Sequence, residues 1–263
     1  MPEQTWKTAI TKVEPNKIII RGYPINELMG KVNFGQMVYL LFKGELPSQG
    51  EGDMIEAILT SSVDHGVTPP SVLSALTVAS TGAPLNAAVA AGTLAISKFH
   101  GGAIEDCMHI LQETKALIDE QNLTIYGAAE KIVVTYKEKK KKLSGYGHRI
   151  HTNDPRTDKL FQLAAKYGVH GNFIDIAIAI ENKLSDITGR KLPLNVDGAI
   201  AAVLCEMEFD PLLANAFFMI ARLPGLVAHI IEEKTRQKPM RKIDPSQYEY
   251  DGPGERALPE HFE

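Results

Sequence analysis

The stretch SGYGHRIHTNDPR, residues 144–156, gathers two histidines, two arginines and a carboxylate around closely spaced glycines. Gly145 and Gly147 flank Tyr146 and would let the backbone approach a ligand, exposing N–H groups just ahead of His148. A phosphate or an adenine edge suits such a loop, and the lysines at 139–142, Lys141 and Lys142 nearest, place positive charge immediately upstream of Ser144. The same residues also describe a turn after a solvated helix end. Asp154-Pro155-Arg156 closes the stretch: the proline fixes a turn and presents Arg156 as a planar fork for a carboxylate, with Arg149 in support.

Three more clusters carry chemistry. In KFHGGAIED, His100 stands beside Gly101 and Gly102 at the end of an apolar helix, where it could donate to a carbonyl oxygen. In LPLNVDGAI, Asp197 opens a helix among apolar neighbours. It is either an ordinary N-cap or a desolvated carboxyl whose raised pKa suits acid/base work. SSVDHGVTPP sets Asp64 and His65 just ahead of another helix. His148 and His151 have an HxxH spacing, but no HExxH and no Cys or carboxylate pair completes a ligand set, so no metal is expected. GxSxG, Walker and GxGxxG signatures are missing, which leaves serine-type acyl transfer and nucleotide hydrolysis without support.

The elements that must position these residues are almost all helical. The opening TWKTAITKVEPNKIIIRGY alternates weakly around Glu14-Pro15-Asn16 and predicts a small hairpin within residues 1–24. From Asn26 onward apolar residues recur at helical spacing, as in Phe34, Val38, Leu41 and Phe42. The pattern predicts helices over 104–121, 126–136, 158–167, 173–184, 197–208 and 211–233, with Thr68-Pro69-Pro70 opening another. Residues 71–98 hold few charges and read as helices packed on all sides. The segment 212–231 has the length of a membrane span, but Arg222, Pro224 and His229 interrupt it, so a buried central helix broken at Leu223-Pro224-Gly225 is expected. A helical domain over 25–233 would then be followed by an extended arm, 234–263, rich in Pro, Gly and charge.

Composition narrows the class. With 263 residues, 44% hydrophobic, 23% charged and a net charge of −4, the chain has the balance of an ordinary globular protein and no basic excess for nucleic acid. Cys107 and Cys205 have no CxxC spacing and the N-terminus has no basic region before an apolar run, so a cytoplasmic, reducing setting and no membrane are expected.

The order of motifs adds what no single one gives. RGYPINEL at 21–28, YLLFKGELP at 39–47, DHG at 64–66, HGGA at 100–103, GYGHRI at 145–150, DPR at 154–156, NVDG at 195–198 and ARLPGLVAHIIEE at 221–233 follow one another. In this the chain resembles the citrate synthase superfamily over nearly its whole length. The resemblance implies an all-α, shortened citrate synthase-like fold in which His100 steadies the enol of an acetyl thioester, Asp197 exchanges a proton with its methyl carbon and His148 serves the oxygen of the oxaloacetate carbonyl. It assigns His65, Arg156 and Arg222 to substrate carboxylates. It assigns coenzyme A to the loop of Ser144, Gly145, Tyr146 and Gly147, with Lys141 and Lys142 beside it.

Departures from the family pattern sharpen the expectation. The chain lacks several helices that the family usually has between GELP and DHG. Its tail RKIDPSQYEYDGP puts Pro245 and Gln247 where the family has arginines, one of which reaches a neighbouring subunit's substrate, and leaves Arg241 as the nearby cation. The shortened form, the NVDG spelling and the ending DGPGERALPEHF look more like citryl-CoA lyase and the lyase module of ATP citrate lyase. The implied reaction is cleavage of citryl-CoA to acetyl-CoA and oxaloacetate, with no cofactor beyond the coenzyme A of the substrate and with a separate citryl-CoA synthetase in the pathway. A short citrate synthase releasing the free acid, a methylcitrate or citramalyl-CoA relative, and a non-catalytic scaffold are the alternatives. The resemblance also implies a homo-oligomer, at least a dimer, with residues 71–98 at the interface.

Overall fold

The opening hairpin forms as its β-branched residues require: β1 (Thr11–Glu14) pairs antiparallel with β2 (Lys17–Ile20), Thr11 opposite Ile20, around Asn16 in the left-handed region. A third strand, β3 (Tyr23–Pro24), then adds to β2 and makes a three-stranded sheet. Two residues carry no alternation, so β3 has no signal in the sequence. This computed structural model describes residues 6–147, 154–242, 244, 246, 249–255 and 257.

The remaining elements among the described residues are helical. The helices are α1 (Ile25–Leu28), α2 (Phe34–Lys43), α3 (Gln49–Ser61), α4 (Pro70–Ser80), α5 (Leu85–Leu94), α6 (Ala103–Gln121), α7 (Ile125–Glu138), α8 (Pro155–Tyr167), α9 (Asn172–Thr188), α10 (Val196–Glu206) and α11 (Ala214–Arg236), the last entered through a 3₁₀ turn at Pro211–Leu213. Their starts are written in the sequence. Asn33 with Gln36, and Ser48 with Glu51, close capping boxes on α2 and α3, while Thr124 caps α7. Gly44, Gly168 and Gly189 end α2, α8 and α9 in the left-handed conformation.

The centre is α10. Its run from Gly198 to Cys205 is buried throughout, and the small residues Gly198, Ala199, Ala201 and Ala202 let α6, α8 and α9 come close around it. A helix surrounded on all sides needs no polar face, which is why this segment shows little amphipathic pattern. A second, smaller core joins α4 and α5 to the later half of α11 through Val72, Ala75, Leu76, Ala88, Leu226 and Ile230. Phe217 and Phe218, in the first half of α11, belong to the main core. Arg222, buried between them in sequence, therefore stands where the two cores meet.

Two expectations are corrected. The chain does not break at Leu223-Pro224-Gly225, because α11 runs through Pro224. The proline forfeits one backbone hydrogen bond, but Phe217, Phe218 and Ala221 before it and Gly225, Leu226 and Ile230 after it are buried and hold both halves in line. By length and composition, Pro211–Arg236 is the one helix among the described residues able to cross a membrane; here it packs on α3, α4, α5 and α6. Residues 71–98 are not packed on all sides either: Leu73, Leu85 and Leu94 are exposed, Leu94 by 83%. Low charge there marks two buried faces only if a second surface covers the outer one.

Candidate active site

A cavity of about 540 Å³ opens where the starts of α4, α8 and α10 converge on α11, and His65, His100, Gly147, Arg156, Asp197 and Arg222 all line it. Residues spread over more than 150 positions of sequence thus face one space. Lys98 and Phe99 stand in the same wall, from the loop before His100. His148, Arg149 and His151 lie outside the described residues, as do Pro245 and Gln247.

Asp197 enters at the first turn of α10. Its N-cap is Asn195, whose side-chain oxygen accepts from the backbone N–H groups of Asp197 and Gly198 at 3.0 and 3.2 Å. The capping duty is taken, and the Asp197 carboxyl is left facing the cavity. Asn195 also donates from its amide to Gly147 O at 2.8 Å, tying the glycine loop to the same helix start. His100 follows a short turn after α5 rather than the helix end itself, and its Nε2 lies 2.7 Å from the Ser71 hydroxyl in the first turn of α4. When Ser71 donates to that nitrogen, the hydrogen of the neutral ring resides on Nδ1. The ring of Phe218 meets His100 edge-on at 5.6 Å and lies under the Arg222 guanidinium at 4.6 Å.

The arginines differ. Arg222 is 3% exposed; its Nε donates to Ser62 O at 2.9 Å, and its Nη1 has no partner among the described residues. Arg156 does not hold its fork open for a ligand, as expected from the sequence, because Asp154 already takes it: Nε donates to Oδ1 at 3.0 Å and Nη2 to Oδ2 at 2.8 Å. What remains for the cavity is the other edge of the guanidinium, where Nη1 has only a long 3.5 Å contact to Ser61 O. Arg156 also lines a second cavity of about 650 Å³ between α3 and α8, which holds none of the other five residues.

The glycine loop is corrected as well. Gly147 N–H is not exposed to a ligand, since it donates to Pro193 O at 2.7 Å, and Gly145 O accepts from Asn195 N at 3.0 Å. The Tyr146 hydroxyl turns inward to Ala177 O, and Ser144 donates to Asp106. Gly145, at φ +88°, is there for a backbone contact: a Cβ would sit 2.6 Å from Cys107 Sγ and 2.9 Å from Gly198 Cα. Two glycines thus seat the loop on the helix that carries Asp197. Lys141 and Lys142 are exposed beside it. Arg241 does not reach outward, as its guanidinium pairs with the buried Glu233 of its own chain.

The profile of the citrate synthase C-terminal domain matches residues 3–62 and 49–243. The chain belongs to the citrate synthase family. It is 43% identical to citryl-CoA lyase from Hydrogenobacter thermophilus, covering 98% of this chain and 99% of that one with a TM-score of 0.89. ATP citrate lyase from Methanothrix soehngenii, in complex with citrate and coenzyme A, shares the fold at 22% identity and a TM-score of 0.84, over 97% of this chain and 43% of that one. Among curated relatives, the putative citrate synthase 2 of Mycobacterium tuberculosis is 32% identical over 80% of this chain, and the ATP-citrate synthase beta chain protein 1 of Oryza sativa 28% over 87%. The chain spans 55% and 37% of the length of those two proteins. Its fold is citrate synthase-like, mostly helical with a small antiparallel sheet, as the order of motifs implied.

Within this family member the electrostatics divide the groups by role. Burial pushes the Asp197 carboxyl above its usual range; the Arg156 and Arg222 cations pull it back, and Asp154 reinforces the rise. Burial also lowers the His100 imidazole, helped by the charges of Arg222 and His65, so its neutral form is favoured. A carboxyl poised to hold a proton and a neutral imidazole able to donate a hydrogen bond therefore share one cavity with two permanent cations. Sequence reasoning missed Ser71, Asn195 and Asp154. The last two had a local signal, Asn and Asp at helix starts, but nothing local ties Ser71 to His100.

Proposed function

We propose that the protein is a citryl-CoA lyase, cleaving citryl-CoA to acetyl-CoA and oxaloacetate. The observation that carries this reading is Arg222: a buried guanidinium in the cavity wall, whose Nη1 has no partner among the described residues, calls for an anionic ligand, and Asp197 and His100 line the same cavity. In the cleavage, the tertiary hydroxyl loses its proton, the carbon–carbon bond breaks, and the electron pair passes to the acetyl thioester as an enol. His100 donates to the thioester oxygen, where negative charge develops. Asp197 delivers the proton to carbon, and Arg156, Arg222 and His65 hold carboxylates. The family assigns the hydroxyl proton to His148. No atom of water is consumed and no metal or redox group is required, so a chelator should leave the rate unchanged.

The likeness to a citryl-CoA lyase over the full length of both chains supports lyase chemistry over synthase chemistry. The second reading, a short citrate synthase that hydrolyses the thioester, is favoured by the likeness to a putative citrate synthase. Citryl-CoA given to the purified protein separates them. Oxaloacetate, read through malate dehydrogenase and NADH, without free thiol is the expected result; free thiol without oxaloacetate would establish hydrolysis instead. The resemblance assigns coenzyme A to Lys141, Lys142 and the loop Ser144–Gly147, and the exposure of both lysines and the position of Gly147 in the cavity wall support that reading, with side chains rather than the Gly147 N–H making the contact.

The exposed outer faces of α4 and α5, with Leu73, Leu85 and Leu94, fit a second copy of this chain. Light scattering at micromolar concentration should give at least a dimer, and a monomer would refute this face as an interface.

A further inference from the structure

Asp154 is 0% exposed, the least solvent-exposed carboxylate at the site, and neither the proposed chemistry nor substrate binding uses it. Its two oxygens are fully engaged. Oδ1 accepts from Arg156 Nε and from the Arg156 backbone N–H, both at 3.0 Å, while Oδ2 accepts from Arg156 Nη2 at 2.8 Å and from Val196 N–H at 3.2 Å. One carboxylate therefore joins the start of α8, with its carboxylate-binding arginine, to the start of α10, one residue before Asp197. Thr157 makes a second tie across the same junction, donating to Leu194 O at 3.1 Å.

We propose that Asp154 is a positioning residue that locks Arg156 and the Asp197-bearing start of α10 into one rigid unit, and that it cancels the charge of Arg156 toward Asp197. The inference rests on the reading of Asp197 as the acid of the reaction. Without Asp154, Arg156 would face the carboxyl as an uncompensated cation, and the first turn of α10 would lose an anchor. Burial holds Asp197 up, and the other groups around it are Arg222 of α11, the buried Cys107 thiol of α6 and His100. Asp154 is itself subject to burial, which works to raise it, but its bonds to Arg156 and Val196 prevail and keep it ionised. It is thus a fixed negative charge over the pH range in which Asp197 titrates.

The experiment is the pH profile of citryl-CoA cleavage in Asp154→Asn, Arg156→Gln, the double variant and Thr157→Val. In Asp154→Asn the limb belonging to Asp197 should move to lower pH, with at least a tenfold loss of rate above it. In Arg156→Gln the limb should move to higher pH, and in the double variant the two opposite displacements should cancel, bringing the limb back toward the parent position while the rate stays low for want of the carboxylate-binding arginine. Thr157→Val loosens the same junction without touching its charges, so it should lower thermal stability and leave the limb in place. A merely structural Asp154 would lower stability in Asp154→Asn and leave its limb in place, as in Thr157→Val, and would give the double variant the limb of Arg156→Gln, which would overturn the proposal. Should Asp154→Asn not fold alone, the double variant set against Arg156→Gln decides: a lower limb in the double variant supports the proposal, an equal one refutes it. If none of the proteins, parent included, turns over citryl-CoA, the functional reading fails, while carboxyl ¹³C titration of Asp197, assigned by its loss in Asp197→Asn, still tests the effect of Asp154.

Discussion

Replacing Asp197 by asparagine should reduce citryl-CoA cleavage by about 10²–10⁴-fold, the usual contribution of a positioned acid or base, with KM little changed. Asparagine keeps the size of the side chain, and the cap of α10 belongs to Asn195, so the helix start survives the exchange. What disappears is the proton for carbon. His100 cannot replace it, because its imidazole is held neutral by burial and its hydrogen bonds serve oxygen. Oxaloacetate release coupled to malate dehydrogenase is the measurement, and undiminished turnover would remove Asp197 from the reaction.

The same exchange has a second expected outcome of opposite sign. A carboxyl whose folded pKa is raised above its unfolded value binds more protons in the folded protein, so stability declines as pH rises from the unfolded value near 4 through the raised one. Above that window the ionised Asp197 is a desolvated charge that folding must carry. Asp197→Asn removes it, so the inactive protein should melt at a higher temperature than the parent at neutral pH, and the difference should shrink as pH falls below the raised pKa. For the parent, cleavage should slow as pH rises through that pKa, since the acid form is consumed.

How far the sequence anticipates this arrangement depends on the range of the signal. Helix boundaries follow from caps, glycines and periodicity, all local, so 104–121 and 126–136 fall within a residue or two of α6 and α7. Pro224 misleads because a local rule about proline is overridden by packing on both sides of it. The glycine loop shows a different limit: GYG reads as a ligand-facing loop, and nothing local reveals that Gly145 also makes room for Cys107 and Gly198, which are remote in sequence. His65, His100, Arg156 and Asp197 could be singled out individually by chemical type and neighbours, whereas Arg222 entered the site only through the family resemblance, and their meeting in one cavity is legible only through the family's order of motifs. Ser71 acts through His100, and Asp154, beyond its local bonds to Arg156, through Val196 on another helix; neither of these remote partnerships has a trace in local pattern.

Exchanging Arg222 for methionine should raise KM for citryl-CoA, or the Kd for oxaloacetate, by about 10²-fold or more, in line with roughly 2–5 kcal/mol for truncating a buried charge that pairs with a ligand. The free protein compensates this guanidinium only in part: it is desolvated at the seam of two cores and Nη1 lacks a partner among the described residues, against attraction from Asp64 and Asp197. Methionine fills a similar volume and keeps contact with the Phe218 ring, so what is forfeited is the bond to Ser62 O, the cation's hold on that ring and the attraction to Asp64 and Asp197. The ligand-free variant should be about as stable as the parent, because the lost hydrogen bond, roughly 1 kcal/mol, and the lost attraction oppose relief of the buried charge. Because Arg222 also pulls the Asp197 carboxyl down, its removal should shift the catalytic limb to higher pH, the direction expected for Arg156→Gln and opposite to that for Asp154→Asn. Calorimetric binding of oxaloacetate and a melting curve test the two halves. Unweakened binding would mean that the anion lies elsewhere in the cavity, whereas a large loss of stability would mean that the arginine is held in the free protein by groups other than Ser62 and Phe218.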